Sequence, residues 1–261
     1  MELIILKLGG SIITEKSGPP SFKDRLFDKI AKELSNLEVN LLLVHGAGSY
    51  GHPIAKEYSI RQGYSNTSQL KGVTETKRSM FSLTLKIVDS LIKHNVPVVP
   101  FLSSSCMVAK SGRLVDVDLA PFKILLDIGL VPLCSGDVIA DQKTGFTIVS
   151  GDQIAIHLAK KLGADRVIFG CDVKGIFDSD PKTNPAAKLI ERLTLDDLKD
   201  MTFPGESLTT DVTGGMSGKL KESLDFVSSG GEVIIMNLSE PQNLAKLLNG
   251  DEVQCTRLIP K

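Results

Sequence analysis

Apolar residues in this chain follow two alternating rhythms. Short runs dense in Val, Ile and Leu occupy residues 2–7, 40–45, 96–101, 130–135, 165–170 and 232–237 and read as buried strands. Between them, residues 23–37, 72–93, 119–128, 152–162 and 217–228 repeat apolar positions at three- and four-residue spacing and read as helices. Strands that are apolar on both faces and separated by helices predict an α/β fold with a mainly parallel central sheet covered on both sides. Two further stretches, 107–117 around Lys110-Ser111-Gly112 and 138–149 around Asp141 to Gly145, set turn residues between β-prone arms and predict hairpins. Ligands of such sheets bind beyond the C-terminal ends of the strands.

No internal repeat, low-complexity tract or linker rich in Pro, Gly and Ser interrupts the 261 residues. The length favours two lobes, and the helix beginning at Asp152 is the natural division, into residues 1–150 and 151–261.

Four strand ends or helix starts combine glycine with polar or charged residues. Lys7-Leu8-Gly9-Gly10-Ser11 ends the first strand, and HGAGSYGH, from His45 to His52, follows the second. Ser150-Gly151-Asp152 opens one helix, and Thr213-Gly214-Gly215-Met216-Ser217-Gly218-Lys219 leads into another. Glycine lets backbone N–H groups approach an anion closely, and a helix N-terminus favours negative charge. With Lys7, Lys16 and Lys219 nearby, the set describes a site for several phosphates.

Three competing readings of these motifs fail on context. Gly46 to Gly51 fits G-x-G-x-x-G, but no Asp or Glu occurs between Tyr58 and Thr74, and the next strand begins only near Val96, so a dinucleotide site lacks its acidic partner. His45 and His52 have no third metal-ligating neighbour until Glu57, too few for a zinc site. Gly214 to Lys219 lacks the gap of a P-loop, and Leu220 stands where Ser or Thr would bind magnesium. His45 therefore reads as a strand-end residue, whereas His52 adjoins a turn of amides and can donate to the same anion.

Charge and cysteine content narrow the partners. Thirty basic and 31 acidic residues leave a net charge of -1, with no basic field to attract nucleic acid. Cys106, Cys134, Cys171 and Cys255 form no CxxC pair and read as free thiols. The apolar run at residues 3–6 is too short for a secretory leader or a membrane span, so a cytoplasmic protein with no membrane partner is expected.

In order and spacing these motifs, with Cys171-Asp172-Val173-Lys174-Gly175-Ile176-Phe177 and Asp180-Pro181, resemble the amino acid kinase superfamily over nearly the whole chain. The resemblance implies a three-layer αβα sandwich and a homodimer. It also implies transfer of the γ-phosphoryl group of ATP, with Mg²⁺, to a carboxylate, carbamate or phosphate oxygen. Gly48-Ser49-Tyr50-Gly51-His52-Pro53 and Lys16 are similar to the branch that converts isopentenyl phosphate to its diphosphate in isoprenoid biosynthesis. On that resemblance Lys7, Lys16, His52 and Asp152 are catalytic, and Ala47, Gly48, His52 and Gly151 bind the acceptor phosphate. ATP falls to Lys7, Gly9, Gly10, Ser11, Gly48, Asp172, Gly175, Asp180, Gly215 and Lys219, with Mg²⁺ held mainly through the ATP phosphates and no metal site of the protein's own. The N-terminal lobe would take the acceptor and the dimer contact, and the C-terminal lobe ATP.

Elementary chemistry agrees with this expectation. A phosphate monoester has a second pKa of about 6, so its attacking oxygen needs no general base, and positioning with charge neutralisation remains. Asp152 is expected to orient Lys7 through an ion pair, helix N-capping being the alternative. Met80 or Phe81, on the apolar stripe of the 72–93 helix, are candidates to line a chamber for the isoprenoid tail. Two kinds of alternative stay open: a kinase of the same fold acting on a phosphonate such as fosfomycin or on another small phosphate or carboxylate, and a non-catalytic nucleotide-binding regulator. The first loses ground for carboxylates because no Arg stands in the glycine turns, and the second because all three lysines are present.

Overall fold

The computed structural model describes every residue except 17, 180, 182, 201–214 and 241, and the side chains of 199 and 200. Its main sheet contains β1 (Leu3–Leu8), β2 (Asn40–His45), β3 (Val98–Pro100), β4 (Val131–Ser135), β5 (Arg166–Cys171), β6 (Arg192–Thr194), β7 (Glu232–Asn237) and β8 (Cys255–Ile259). The spatial order is β6-β8-β7-β5-β1-β2-β4-β3, and β1 pairs in parallel with both β2 and β5. Only the β7–β8 pairing in this sheet is antiparallel among the described residues.

Alternation along the central strands divides the core into two layers. Ile4, Leu6 and Leu8 of β1, with Leu41 and Leu43 of β2, pack on one face. Ile5, Leu42 and Val44 pack on the other, because successive side chains of a strand point to opposite faces. The first face is covered by α1 (Asp24–Leu34), α2 (Gly48–Glu57), α3 (Ser68–Lys93) and later α7 (Asn243–Leu248), through residues such as Phe27, Tyr50, Leu83 and Leu244. The second is covered by α4 (Ala120–Asp127), α5 (Gly151–Leu162) and α6 (Gly215–Ser228), through Phe122, Ile154, Leu158 and Phe226. The sheet is covered on both sides, as the pattern predicted, which makes the three-layer αβα arrangement that the resemblance implied; the central strands β1, β2, β5 and β7 are buried on both faces.

The two anticipated hairpins form and join each other. Met107–Lys110 with Arg113–Val117 and Asp137–Asp141 with Gly145–Val149 make a second, four-stranded sheet. Asp141 fastens both turns, accepting from the amides of Ser111, Gly112, Lys143 and Thr144. Strands β1 and β5, one from each expected lobe, are neighbours in a continuous sheet.

Three elements depart from the pattern. Strands β6 and β8 lie at the edge of the sheet, and β8 carries Thr256 and Arg257 inside a run that no apolar rhythm marks. Helix α2 begins at Gly48, so Gly48-Ser49-Tyr50-Gly51 is its first turn rather than a free loop, and His52 sits inside the helix. Glycine and the interior Pro53 give this segment poor intrinsic helicity, so tertiary contacts must hold it.

Candidate active site

The C-terminal ends of β1, β2, β4 and β5 open into one cavity of about 680 Å³. Lys7 shares the face of Ile5, two residues earlier, and this aims it at α5. Asp152 stands in the first turn of that helix, and its Oδ1 lies 2.6 Å from Lys7 Nζ. The Lys219 Nζ, from the second turn of α6, donates to Asp152 Oδ2 at 3.2 Å. Burial alone would raise the Asp152 pKa, but the charges of Lys219 and Lys7 and their hydrogen bonds outweigh it and hold the carboxyl at about 2. The N-cap role belongs to Ser150, whose Oγ accepts from the Gln153 amide at 3.1 Å. Asp152 is thus an ion-pair residue, and it serves two lysines rather than one.

Lys16 takes a different partner. Its Nζ is 2.7 Å from Asp172 Oδ2, just beyond β5, while 59% of the Lys16 side chain remains exposed. Burial pushes the Asp172 carboxyl up, and the hydrogen bonds from Lys16 and Ser11 with the Lys16 charge bring it below the usual range. Asp172, expected among the ATP residues, therefore meets Lys16, expected among the catalytic ones.

The glycine turns interlock in pairs. Gly48 has φ +49°, and a Cβ there would strike the Thr14 side chain; a Cβ on Gly10 would lie 2.8 Å from Gly48 Cα. Thr14 completes the contact, because its Oγ1 donates to Gly10 O at 2.9 Å and accepts from the Ser49 amide at 3.1 Å. No motif in the sequence marked Thr14; its signal is only its place three residues after Ser11. The amides of Ala47, Gly48 and Gly151 have no hydrogen-bond partner among the described residues, whereas that of Gly9 is spent on Gly170 O at 2.9 Å. Gly9 therefore contributes close packing, a Cβ there lying 2.6 Å from that carbonyl oxygen.

Most of the expected site residues line the cavity together: Lys7, Gly9, Gly10, Ser11, Lys16, Ala47, Gly48, His52, Gly151, Asp152, Asp172, Gly215 and Lys219. Gly175 does not; a Cβ there would meet Thr256, whose Oγ1 accepts from the Ile176 amide at 2.8 Å. Asp180 and Gly214 lie outside the described residues. Met80 lines the cavity and is buried, while Phe81 is 49% exposed and turned away from it. The cavity also gains walls that no motif announced, among them Thr76, Gly136, Asp137, Val138 and Ile148. Asp137 is buried and pairs with Lys77, which also donates to Ser104 Oγ at 2.6 Å.

His45 and His52 separate cleanly. His45 is fully buried, with Nδ1 2.9 Å from Gly46 O and Nε2 2.9 Å from Thr84 Oγ1, and burial depresses its pKa to about 4. His52 is half-buried on α2 and lines the cavity.

The model of the amino acid kinase family matches residues 2–237. The chain is 38% identical to an isopentenyl phosphate kinase of Methanothermobacter thermautotrophicus, the match covering 99% of this chain and 100% of that one. Among solved structures, it superposes with a TM-score of 0.85 on an isopentenyl phosphate kinase that is 34% identical, over 98% of this chain and 100% of the other. A substrate complex of an isopentenyl phosphate kinase, 28% identical, gives 0.83 over 99% and 100%.

Proposed function

The chain belongs to the amino acid kinase family, and on that premise we propose that it is an isopentenyl phosphate kinase in activity: it transfers the γ-phosphoryl group of ATP to the phosphate of isopentenyl phosphate, giving isopentenyl diphosphate and ADP. One observation carries the reading. A single cavity joins an acceptor cradle with unpartnered amides at Ala47, Gly48 and Gly151 to the Lys7–Asp152–Lys219 cluster, with His52 on its wall.

An oxygen of the acceptor phosphate attacks the γ-phosphorus, and the bond from that phosphorus to the bridging oxygen of ADP breaks. The three amides hold the acceptor's other oxygens, and His52 donates to one of them, which leaves one oxygen free to attack. Lys7 and Lys219 offset charge on the phosphates, and the ionised Asp152 keeps both ammonium groups at fixed positions. Asp172 holds Lys16 at the cavity, where the lysine's charge offsets the transferring group and counts most in the transition state. Mg²⁺, when bound with ATP, neutralises phosphate oxygens. Asp152 and Asp172 are both committed to lysines, which fits an ion whose ligands come mainly from the nucleotide.

The lobes are assigned by subsite: residues 1–150 supply most of the acceptor cradle, and residues 151–261 supply Asp172, Gly215 and Lys219 to the nucleotide side. The same reading makes the protein a cytoplasmic homodimer. Support for the dimer comes from α3, where exposed Phe81, Leu85 and Ile92 recur at i, i+4 and i+11 as a stripe that a second copy would cover. No described helix is long and apolar enough to cross a membrane, and all four cysteines are free. Light scattering at micromolar concentration tests the assembly; a monomer refutes it.

The activity is tested by ATP consumption across isopentenyl phosphate, dimethylallyl phosphate, fosfomycin, UMP and N-acetylglutamate. Isopentenyl phosphate is expected to give the highest kcat/KM. Turnover of the carboxylate or the phosphonate without the isoprenoid phosphates would overturn the assignment.

A further inference from the structure

Helix α3 contains three threonines, and two of them have hydrogen-bond partners for their hydroxyls. Thr74 donates to Lys71 O at 2.8 Å, and Thr84 Oγ1 lies 3.0 Å from Met80 O and 2.9 Å from His45 Nε2. Thr76 is different. The residue is 3% exposed, yet its Oγ1 has no hydrogen-bond partner among the described residues. It lines the cavity one helical turn before Met80 and so shares that residue's face. The lining of the same cavity includes the apolar Ala55, Met80, Val138 and Ile148.

A buried hydroxyl without a partner is unfavourable, and valine would fill the same space without that cost. The acceptor phosphate accounts for the other such hydroxyl on the wall, Ser49 Oγ, which lies on α2 between Gly48 and His52 in the phosphate cradle. It does not account for Thr76, which stands on another helix, on the face that Met80 turns to the cavity. A hydrocarbon tail would leave the hydroxyl unpaired, whereas a tail bearing a hydroxyl would pair with it, since a threonine Oγ can both donate and accept.

We infer that Thr76 is a specificity residue of the tail subsite, and that the cavity takes monophosphates whose short branched tail carries a hydroxyl group, in addition to the plain isoprenoid acceptor. This rests on the kinase reading above and names the substrate class of the same site. The phosphoryl chemistry is unchanged: the tail hydroxyl binds and does not react.

The test compares kcat/KM for isopentenyl phosphate and for 3-hydroxy-3-methylbutyl phosphate, which has the same carbon skeleton with water added across the double bond. The wild-type protein should phosphorylate both. In Thr76→Val the ratio of hydroxylated to plain acceptor should fall about three- to tenfold, the size of one neutral hydrogen bond, while Thr76→Ser keeps it. An unchanged ratio in Thr76→Val would show that the hydroxyl serves only a bound water, and the inference would be wrong. Wild-type turnover of isopentenyl phosphate alone would also overturn it and leave the kinase reading intact. Failure on both acceptors would instead sink the kinase reading, and the inference with it. If Thr76→Val does not fold, Thr76→Ala carries the same comparison.

Discussion

Acidification should destabilise this protein through His45 well before its carboxylates titrate. The ring is fully buried, and burial, with the nearby Lys7 charge, drives the pKa from 6.5 to about 4 against the opposing hydrogen bond to Gly46. Between those values the unfolded chain binds a proton that the folded chain refuses. Stability is therefore whole above about pH 6.5, falls by about 1.4 kcal/mol per pH unit below it, and stops falling on this account near pH 4. Integrated from pH 7.5 to pH 5, the loss is about 2 kcal/mol. His45→Gln can still reach Gly46 O and Thr84 Oγ1 but does not titrate, so it isolates the contribution. Urea unfolding of both proteins, followed by circular dichroism at several pH values from 7.5 to 5, gives the difference in slope. His157 and the carboxylates contribute to both proteins and cancel. Equal pH slopes in the two would refute the reasoning, because the buried ring could then not be the group that resists protonation.

Three further outcomes follow from the site. His52→Ala should lower kcat/KM for the acceptor about 10- to 150-fold, the range for a hydrogen bond to a charged group, with ATP affinity nearly unchanged by titration calorimetry; a collapse of ATP binding would mean that the two subsites are inverted. Asp172→Asn should release Lys16 and lower kcat roughly tenfold with little change in acceptor KM, and an unaltered kcat would deny Asp172 its positioning role. Gly48→Ala places a Cβ on the Thr14 side chain at a φ of +49°, so a loss of roughly 2–4 kcal/mol in unfolding free energy is expected. Thr14→Ala in the same chain should recover part of it; no recovery would put the strain elsewhere.

Much of this architecture is visible in the residues themselves. β1 and β2 are continuous apolar runs because both of their faces are covered, and such runs stand out whatever surrounds them. The glycine turns are visible for a related reason: a close backbone contact, as between Gly10 and Gly48, excludes every other residue type. What escapes notice is structure imposed from outside the segment. Helix α2 forms on a Gly-Ser-Tyr-Gly-His-Pro stretch because Thr14 binds its first turn, and β8 forms around polar Thr256 because that hydroxyl ties Ile176 to Ile190. Neither contact can be read from local propensity.

By itself the sequence determined a layered sheet, the strand ends where anions would gather, and the set of lysines and histidines available there. Only the tertiary structure decided how those charges are shared. Asp152 holds Lys7 and Lys219 while Asp172 holds Lys16, and His45 is sealed under Thr84 while His52 reaches the cavity. The physical reason is distance along the chain. Lys16 and Asp172 are 156 residues apart in sequence, and they meet because the strand leading to Asp172 lies beside the one leading to Lys16. An ion pair depends on separations of a few ångströms, and those separations are set by strand order and register, which no local pattern of residues records.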